Sequence, residues 1–294
     1  ANEEYLFYQT LAGAWPLTLM DAETYSAFVQ RIEEYLIKAL REAKIHSSWI
    51  SPNDGYEQAV RQFVHSALEQ NEGNDFLKSF IEFQATVSRA GIFNSLSQLL
   101  LKIAAPGLPD FYQGTELWNF SLVDPDNRRP VDYARLKEML ASLDNQTQND
   151  ASPFVTELLD RPEDGRIKLY LTRQALRFRR SRDELFKNGS YLPVHATGEK
   201  EHHVIAFVRT TQNETVIAVA ARFFTQLGES TQHPVGDQVW GETAILLPDE
   251  LQSGQYRDVI TGRNVRTIEK EGKRMLPLAE VFANLPAALL ERIA

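Results

Sequence analysis

Apolar side chains in the first part of the chain recur at three- and four-residue steps, which is the period of a helix with one buried face. Between Asp21 and Ala43 this apolar stripe comprises Tyr25, Phe28, Ile32, Tyr35, Ala39 and Leu40. A second stripe, formed by Tyr56, Val60, Phe63, Val64 and Ala67, predicts a helix that Asp54 can cap and that ends near Gly73. The pattern predicts a helical region up to Ile103.

A third apolar stripe precedes the segment that begins at Pro106. Ile92, Leu96, Leu99, Leu100 and Ile103 predict a helix that stops at Pro106-Gly107, because this dipeptide cannot continue a helix. Leu108 to Tyr112 then reads as a short buried strand that leads into a polar loop. A helix, a tight turn, a strand and a loop make half of a β/α repeat, which favours a parallel sheet or barrel.

In the last third of the chain, apolar residues alternate with a period of two, which is the period of a β-strand. Helices are predicted at Tyr133–Leu143 and Gly165–Arg182, with a polar linker at Asn145–Asp150. From Tyr191 onwards, the short runs YLPVHA, VIAFVRT, TVIAVAAR, AILLP and YRDVI are separated by turn residues, as in an antiparallel sandwich. We therefore predict an α/β part over residues 1–184 and an all-β part over residues 185–294.

Charge and composition exclude several classes of protein. The 294 residues carry a formal net charge of −9, which would repel a phosphate backbone, so we expect no nucleic-acid partner. No cysteine is present, which rules out disulfides and thiolate metal sites. No apolar run reaches the ~20 residues that span a bilayer, and the start lacks a secretory leader and reads like the middle of a domain. We expect a cytoplasmic protein without a membrane partner.

The segment from Tyr112 to Arg129 holds the candidate chemistry. If Leu108–Tyr112 is a barrel strand, the loop after it lies at the active-site face. Arg128-Arg129 near Asp124 and Asp126 can form forked ion pairs or donate to sugar hydroxyls. Asp124-Pro125-Asp126-Asn127 is also good turn chemistry, so a purely structural role stays open.

Aromatic side chains and other polar groups give weaker indications. Tyr112, Trp118 and Phe120 offer flat faces for a pyranose ring, although Phe120 fits a core position better. His46 has no second histidine at ligand spacing, which favours a structural role over metal binding. The arginines of Arg177–Arg180 fit a helix C-terminus, with phosphate binding as the lesser alternative.

The segment Pro106-Gly-Leu-Pro-Asp-Phe-Tyr-Gln-Gly-Thr-Glu116 resembles the eighth strand of the α-amylase superfamily of (β/α)8-barrel glycosidases. Its continuation, Asp124-Pro-Asp-Asn-Arg-Arg-Pro-Val-Asp132, is similar to one branch, and so are Glu4–Thr10, Gly13–Pro16 and Ser48-Trp49. That branch turns the reducing-end α-1,4 linkage of a maltooligosaccharide into an α,α-1,1 linkage by intramolecular transglycosylation. The resemblance implies a chain that contains the end of the barrel, including its eighth strand, followed by a β-sandwich.

The resemblance also implies a division of roles. The implied reaction needs no metal or organic cofactor, but it needs an aspartate nucleophile, a glutamate acid/base and a third aspartate, which in the superfamily all lie on strands before the eighth. No segment here matches their motifs, so we expect a C-terminal fragment that is inactive alone. The implied substrate-binding residues are Tyr112, Gln113, Glu116, Asp126, Arg128 and Arg129, and which arginine faces the substrate stays open. The alternatives are a fragment of another superfamily hydrolase or transferase, and a non-catalytic α-glucan-binding module.

Overall fold

The computed structural model describes residues 2–144, 151–227, 233–251 and 253–293, so the predicted linker Asn145–Asp150 lies outside it. The helices are α1 (Asn2–Ala14), α2 (Ala22–Ala43), α3 (Asp54–Ala67), α4 (Asp75–Ala104), α5 (Tyr133–Asp144), α6 (Ser152–Asp160), α7 (Arg166–Ser181), α8 (Asp183–Asn188), α9 (Asp237–Trp240) and α10 (Leu278–Val281). The strands are β1 (Ser190–Val194), β2 (Ala196–Thr197), β3 (Val204–Thr210), β4 (Thr215–Ala221), β5 (Ala244–Leu246), β6 (Gln255–Asp258), β7 (Asn264–Arg266), β8 (Ile268–Lys270), β9 (Lys273–Pro277) and β10 (Ala287–Arg292).

The chain divides into two compact units. Unit 1 comprises Ala1–Arg89 and Asn119–Val131, and unit 2 comprises Ala90–Trp118 and Asp132–Ala294. Within unit 2 the last long helix binds the all-β region directly, since the Tyr170 hydroxyl of α7 donates to the Ile260 carbonyl at 2.9 Å. The division at residues 184/185 that the sequence predicts stays a prediction.

Helix α2 of unit 1 forms where the sequence predicts a helix, and it buries most of the predicted apolar stripe. Asp21 caps its start, because the Asp21 side chain accepts a hydrogen bond from the Thr24 amide at 2.9 Å. Four of the six residues of the predicted stripe are buried, and Val29, Leu36 and Ile37 extend the face. Of these, Tyr25, Phe28, Val29, Ile32 and Leu36 pack in one apolar core with residues of α1, α3 and α4, among them Phe7, Leu11, Val64 and Phe80.

Helix α3 differs from its prediction at both ends. Its N-cap is Asn53 rather than Asp54, and the Asn53 side chain accepts from the Tyr56 amide at 3.1 Å. Both residue types can cap a helix, so the pattern alone could not choose between neighbours. The helix ends at Ala67 instead of near Gly73, and the next turn is closed by the side-chain amide of Asn74, which donates to the Ala67 carbonyl at 3.0 Å.

The predicted strand Leu108–Tyr112 is not formed. Helix α4 ends at Ala104, as the Pro106-Gly107 signal predicts, but the residues after it form no ladder with any described strand. Their carbonyls are bound by side chains instead: Arg179 donates to Ala105 at 3.2 Å, and Lys102 donates to Asp110 at 2.8 Å. A side-chain donor thus occupies the Asp110 carbonyl, which a strand would have offered to a neighbour, and Arg179 binds the carbonyl of Ala105 just before the predicted strand.

The all-β region forms two antiparallel sheets, in agreement with the period-two pattern. One has the order β1-β3-β4-β10-β6-β7 and the other β2-β5-β9-β8. In the larger sheet Val208 pairs with Ile217, and Ala218 pairs with Leu289. Side chains of both sheets, such as Val219 and Leu276, belong to one apolar core, which is the arrangement expected of a sandwich.

Among the residues that the structure describes, no helix is both long and apolar enough to cross a membrane.

Candidate functional site

A groove of about 760 Å³ in unit 1 contains part of the predicted site. We call it the α2 groove, because one stripe of α2 forms its floor and the loop Val123–Arg129 forms one wall. Its lining residues are Ala27, Gln30, Arg31, Glu34, Tyr35, Lys38, Trp49, Val123, Asp124, Pro125, Asp126 and Arg129.

Asp126 connects the loop Val123–Arg129 to α2 through an ion pair with Arg31. Its two carboxylate oxygens accept from Arg31 Nε at 3.1 Å and Arg31 Nη2 at 2.9 Å, which is the forked geometry of a guanidinium–carboxylate pair. The same carboxylate accepts from the Leu122 amide at 2.7 Å, while Arg31 Nη2 donates to the Phe120 carbonyl at 2.9 Å. The Asp126 side chain is only 14% exposed. This carboxylate therefore fixes the shape of the loop.

The two loop arginines have different partners. Arg129 forms an ion pair with Asp126, and Arg128 forms one with Asp124, on a short 3-10 turn at Asp126–Arg128. Arg129 lines the α2 groove with 54% of its side chain exposed, whereas Arg128 is 72% exposed and is not part of the lining. The geometry thus favours Arg129 over Arg128 as the arginine that faces a ligand in the groove.

Three cations, Arg31, Lys38 and Arg129, and three carboxylates, Glu34, Asp124 and Asp126, line the groove. Burial lowers the pKa of Arg31. Burial and the neighbouring Arg31 charge lower the pKa of Arg129, and Glu34 opposes that shift. Guanidinium groups stay protonated despite such shifts, so Arg31 and Arg129 keep their charges beside the carboxylates of the lining. Lys38 donates a hydrogen bond to the Asp124 carbonyl.

An exposed indole forms another part of the lining. Trp49 is 57% exposed, and the Arg41 guanidinium lies 5.0 Å from its ring centroid. Arg41 is held in turn by Glu57, whose oxygens accept from Arg41 Nε at 2.8 Å and Nη2 at 2.6 Å. The hydrogen bonds from Arg41, and then that from Ser47, lower the pKa of Glu57 to about 2. The Trp49 indole therefore contacts an arginine that is held in place by the buried carboxylate of Glu57.

The other predicted site residues belong to unit 2. Tyr112 and Gln113 are exposed on a turn in which the Thr115 hydroxyl donates to the Tyr112 carbonyl at 2.6 Å. Glu116 is partly buried, and its Oε2 has no hydrogen-bond partner among the described residues. The six predicted residues thus fall into two groups of three, and the structure joins Asp126 to Arg129 but leaves Arg128 on its own ion pair with Asp124.

The remaining candidates have structural roles. Trp118 is partly buried, and its Nε1 donates to the Pro162 carbonyl at 2.6 Å. His46 is exposed, and its ring lies against that of Tyr56 at a centroid distance of 4.8 Å and an interplanar angle of 36°. Arg179 donates to the carbonyls of Ile103, Ala105 and Gly107, so it completes the C-terminus of a different helix, α4, rather than of its own.

Sequence reasoning missed the α2 residues of the groove. Arg31 and Lys38 are absent from the predicted site because the prediction for α2 rests only on its apolar face. Trp49, in the segment after α2, enters the sequence analysis only as part of the family resemblance. Ala27, Arg31, Glu34 and Lys38 recur at three- and four-residue steps beside that face, so a second stripe with the same period is present in the sequence. Nothing local to this stripe indicates that it meets a loop about ninety residues later, as the Arg31 contacts with Phe120 and Asp126 do.

Comparison with known proteins identifies relatives along almost the whole chain. No family model matches it. A curated putative maltooligosyl trehalose synthase of Mycobacterium tuberculosis is 31% identical over 285 residues, which cover 97% of this chain and 31% of that protein. The solved maltooligosyltrehalose synthase of Arthrobacter ramosus is 34% identical with a TM-score of 0.75, covering 99% of this chain and 32% of that one.

A solved structure from Sulfolobus tokodaii, described as a hypothetical maltooligosyl trehalose synthase, has 27% identity and a TM-score of 0.66 over 99% of this chain and 32% of its own. The chain therefore spans about a third of the length of the relatives it matches. Sequence and fold agree on the same relatives over 97–99% of its residues, with the loop that carries Asp126 and Arg129 inside the matched region. On this evidence the chain belongs to the maltooligosyltrehalose synthase family.

Proposed function

We propose that the chain is the C-terminal part of a maltooligosyltrehalose synthase, made of the end of a (β/α)8 barrel and a β-sandwich. The α2 groove would contribute to maltooligosaccharide binding. The observation that carries this proposal is the combination of a fixed loop, a groove-lining arginine and an exposed indole in a chain of this family. The names of the relatives describe an enzyme that forms maltooligosyl trehalose, and the substrate follows from that name.

The proposed reaction is a double displacement at one sugar carbon. A carboxylate attacks C1 of the glucose next to the reducing end, the bond from C1 to O4 of the reducing glucose breaks, and an acid protonates O4. The freed glucose turns within the site, and its anomeric hydroxyl attacks C1 while its proton returns to the conjugate base of that acid, and the carboxylate leaves. The product is an α,α-1,1-linked maltooligosyl trehalose, and no water or redox partner is consumed.

The α2 groove would act in this reaction by binding and orientation. Arg129 would donate to hydroxyl oxygens, since a guanidinium offers several donors in a fixed plane. Trp49 would pack its flat face on a pyranose ring and exclude water from it. Asp126 and Arg31 would hold the loop so that Arg129 keeps one position. Positioning of this kind contributes to rate because the reacting atoms are held in place.

We further propose that the chain alone does not turn over substrate. Its sequence has no counterpart of the nucleophile and acid/base motifs that precede the eighth strand in the α-amylase superfamily. The loop acids cannot replace them, because Asp126 is engaged by Arg31 and the Leu122 amide. Binding without turnover is therefore expected.

Two measurements on the purified chain test the proposal. Incubation with maltohexaose, followed by chromatography for non-reducing products, should give no product; clear turnover would refute the absence of the catalytic acids. Calorimetric titration with maltohexaose should give a measurable affinity that Arg129→Gln weakens, while Arg128→Gln changes it little. Equal effects of the two substitutions, or no binding at millimolar maltohexaose, would remove the α2 groove from the proposed function.

A further inference from the structure

A segment of unit 2, Asp110–Trp118, is held at both ends by lysines; we call it the lysine-held loop. At one end Lys102, in the last turn of α4, donates to the Asp110 carbonyl at 2.8 Å, and its ammonium lies 3.9 Å from the Phe111 ring centroid. At the other end Lys168 of α7 donates to the Leu117 carbonyl at 2.9 Å, and its ammonium lies 5.3 Å from the Trp118 ring centroid. Each lysine thus combines a backbone hydrogen bond with a cation–π contact to the next residue.

The position of Lys168 is unfavourable by local rules. It lies in the first turn of α7, where the helix dipole disfavours a cation, and it is partly buried. Burial lowers the pKa of Lys168 to about 8, the charge of Lys102 lowers it further, and the charge of Glu116 opposes the shift. A residue that breaks a local preference in this way points to a tertiary or functional requirement.

The residues just before Lys168, Pro162 and Gly165, also contact the C-terminal end of the lysine-held loop. Trp118 Nε1 donates to the Pro162 carbonyl at 2.6 Å. Gly165 has a φ of +80°, and a Cβ at this position would lie 3.1 Å from Leu117 Cδ2. The contacts of Lys168 therefore belong to a closely fitted interface between the start of α7 and the lysine-held loop.

We propose that Lys102 and Lys168 are positioning residues that hold the loop Asp110–Trp118 in its ligand-binding arrangement, and that loss of charge on Lys168 releases one end of it. The ligand part rests on the proposed function and on the sequence prediction that Tyr112, Gln113 and Glu116 bind the substrate. Deprotonation of Lys168 weakens both of its contacts, because a neutral amine is a poorer donor and makes no cation–π interaction.

The charged groups around Lys168 make the proposal specific. Lys102 acts from α4 and Glu116 acts from the lysine-held loop. On the helix itself, Arg166 is paired with Asp164 at 2.6 Å and with Glu157 at 3.2 Å. Removal of the Lys102 charge should therefore raise the midpoint of the Lys168 titration, and removal of the Glu116 charge should lower it.

A titration of the loop without ligand tests the holding role. The chain is labelled with 5-fluorotryptophan, the Trp118 signal is assigned with Trp118→Phe, and its ¹⁹F shift is followed from pH 6 to 10. The wild-type signal should titrate with a midpoint near pH 8, the value to which the pKa of Lys168 is lowered. Lys102→Met should raise the midpoint and Glu116→Gln should lower it, whereas Lys187→Met, an exposed lysine paired with Asp183, should leave it unchanged.

Lys168→Arg keeps a charge at all these pH values, so it should show no titration near pH 8 and should keep the wild-type Trp118 shift at pH 6. This variant separates the charge of the side chain from a simple loss of folding in Lys168→Met. The proposal is overturned if Trp118 does not titrate in the wild type, or if its midpoint is the same in Lys102→Met and Glu116→Gln.

A second measurement tests the link to the ligand. The affinity of the wild-type chain for maltohexaose should fall about fivefold between pH 6.5 and pH 9.5, and the affinity of Lys168→Arg should stay constant. The same fall in both proteins would overturn the ligand part of the inference. If maltohexaose binds at neither pH, the proposed function and this part fail together, and the Trp118 titration still decides whether the lysines hold the loop.

Discussion

Arg31 of α2 and Asp126 of the loop form a forked ion pair across ninety-five residues of sequence, with N–O distances of 3.1 and 2.9 Å. The pair is largely buried, and each partner makes a further backbone hydrogen bond, to Phe120 and from Leu122. The neighbouring pair Arg128–Asp124 is exposed instead, so its partners are largely solvated. The difference gives a direct test of which arginines maintain the loop.

Replacement of Arg31 by Met should destabilise the chain. The substitution removes three hydrogen bonds and leaves the Asp126 carboxylate largely buried, with the groove-facing Arg129 as its remaining cation. We expect a loss of about 3 kcal/mol in the free energy of unfolding, measured by urea denaturation. Arg128→Met, the matched control on the exposed pair, should change it by less than about 1 kcal/mol. Similar losses in both variants would contradict the assignment of Arg31 as the anchor.

Replacement of Trp49 by Ala should weaken maltohexaose binding without a large effect on stability. The indole is more than half exposed and lines the α2 groove, so its removal creates no core cavity. We expect an affinity loss of about tenfold by calorimetry. The control is Ile50→Ala, because Ile50 is the fully exposed neighbour and is not part of the lining. An unchanged affinity in Trp49→Ala would exclude the indole from the binding surface.

The Glu57–Arg41 pair should make stability depend on pH in the acid range. The pKa of Glu57 is lowered from 4.5 to about 2 in the folded chain. A lowered pKa means that the charged form is favoured by folding, so its contribution is complete above the unfolded value and is lost as the pH falls towards the folded one. Glu57→Gln should therefore cost about 2 kcal/mol at pH 7, and the difference from the wild type should shrink between about pH 4.5 and pH 2. Thermal or urea unfolding at several pH values measures this; a constant difference would contradict the pair.

Arg209 should be essential for the stability of unit 2. It is 2% exposed and donates to the carbonyls of Gly189 at 2.9 Å, Phe186 at 3.1 Å, Leu185 at 3.2 Å and Ala104 at 3.4 Å. Arg209→Met would leave the helix-terminal carbonyls without this donor, and we expect a loss of about 3 kcal/mol in urea unfolding. Arg257→Met on the exposed face of β6 is the control and should stay close to the wild type. A small effect of Arg209→Met would show that water can satisfy these carbonyls.

Local signals determined much of the architecture. Helix α2, the end of α4 before Pro106-Gly107, and the strands from β1 to β6 follow from apolar periods and from turn residues, since both act within a few positions. The family resemblance put Asp126 and Arg129 in one predicted substrate-binding set, and the structure joins them in an ion pair, while their role in binding stays a prediction. The sequence also led to the family, because the residues from Pro106 to Asp132 form a continuous motif.

Tertiary contacts decided the conformation of Leu108–Tyr112 and the partners of the loop arginines, which local signals could not predict. The segment Leu108–Tyr112 is apolar enough for a strand, yet Arg179 and Lys102 bind the neighbouring carbonyls and no described strand pairs with it. Arg129, and not Arg128, lines the α2 groove and pairs with the carboxylate that Arg31 also binds, and the sequence places Arg31 far away. Side-chain chemistry and helical period are readable along the chain, but the pairing of a guanidinium with one carboxylate among several depends on which surfaces folding brings together.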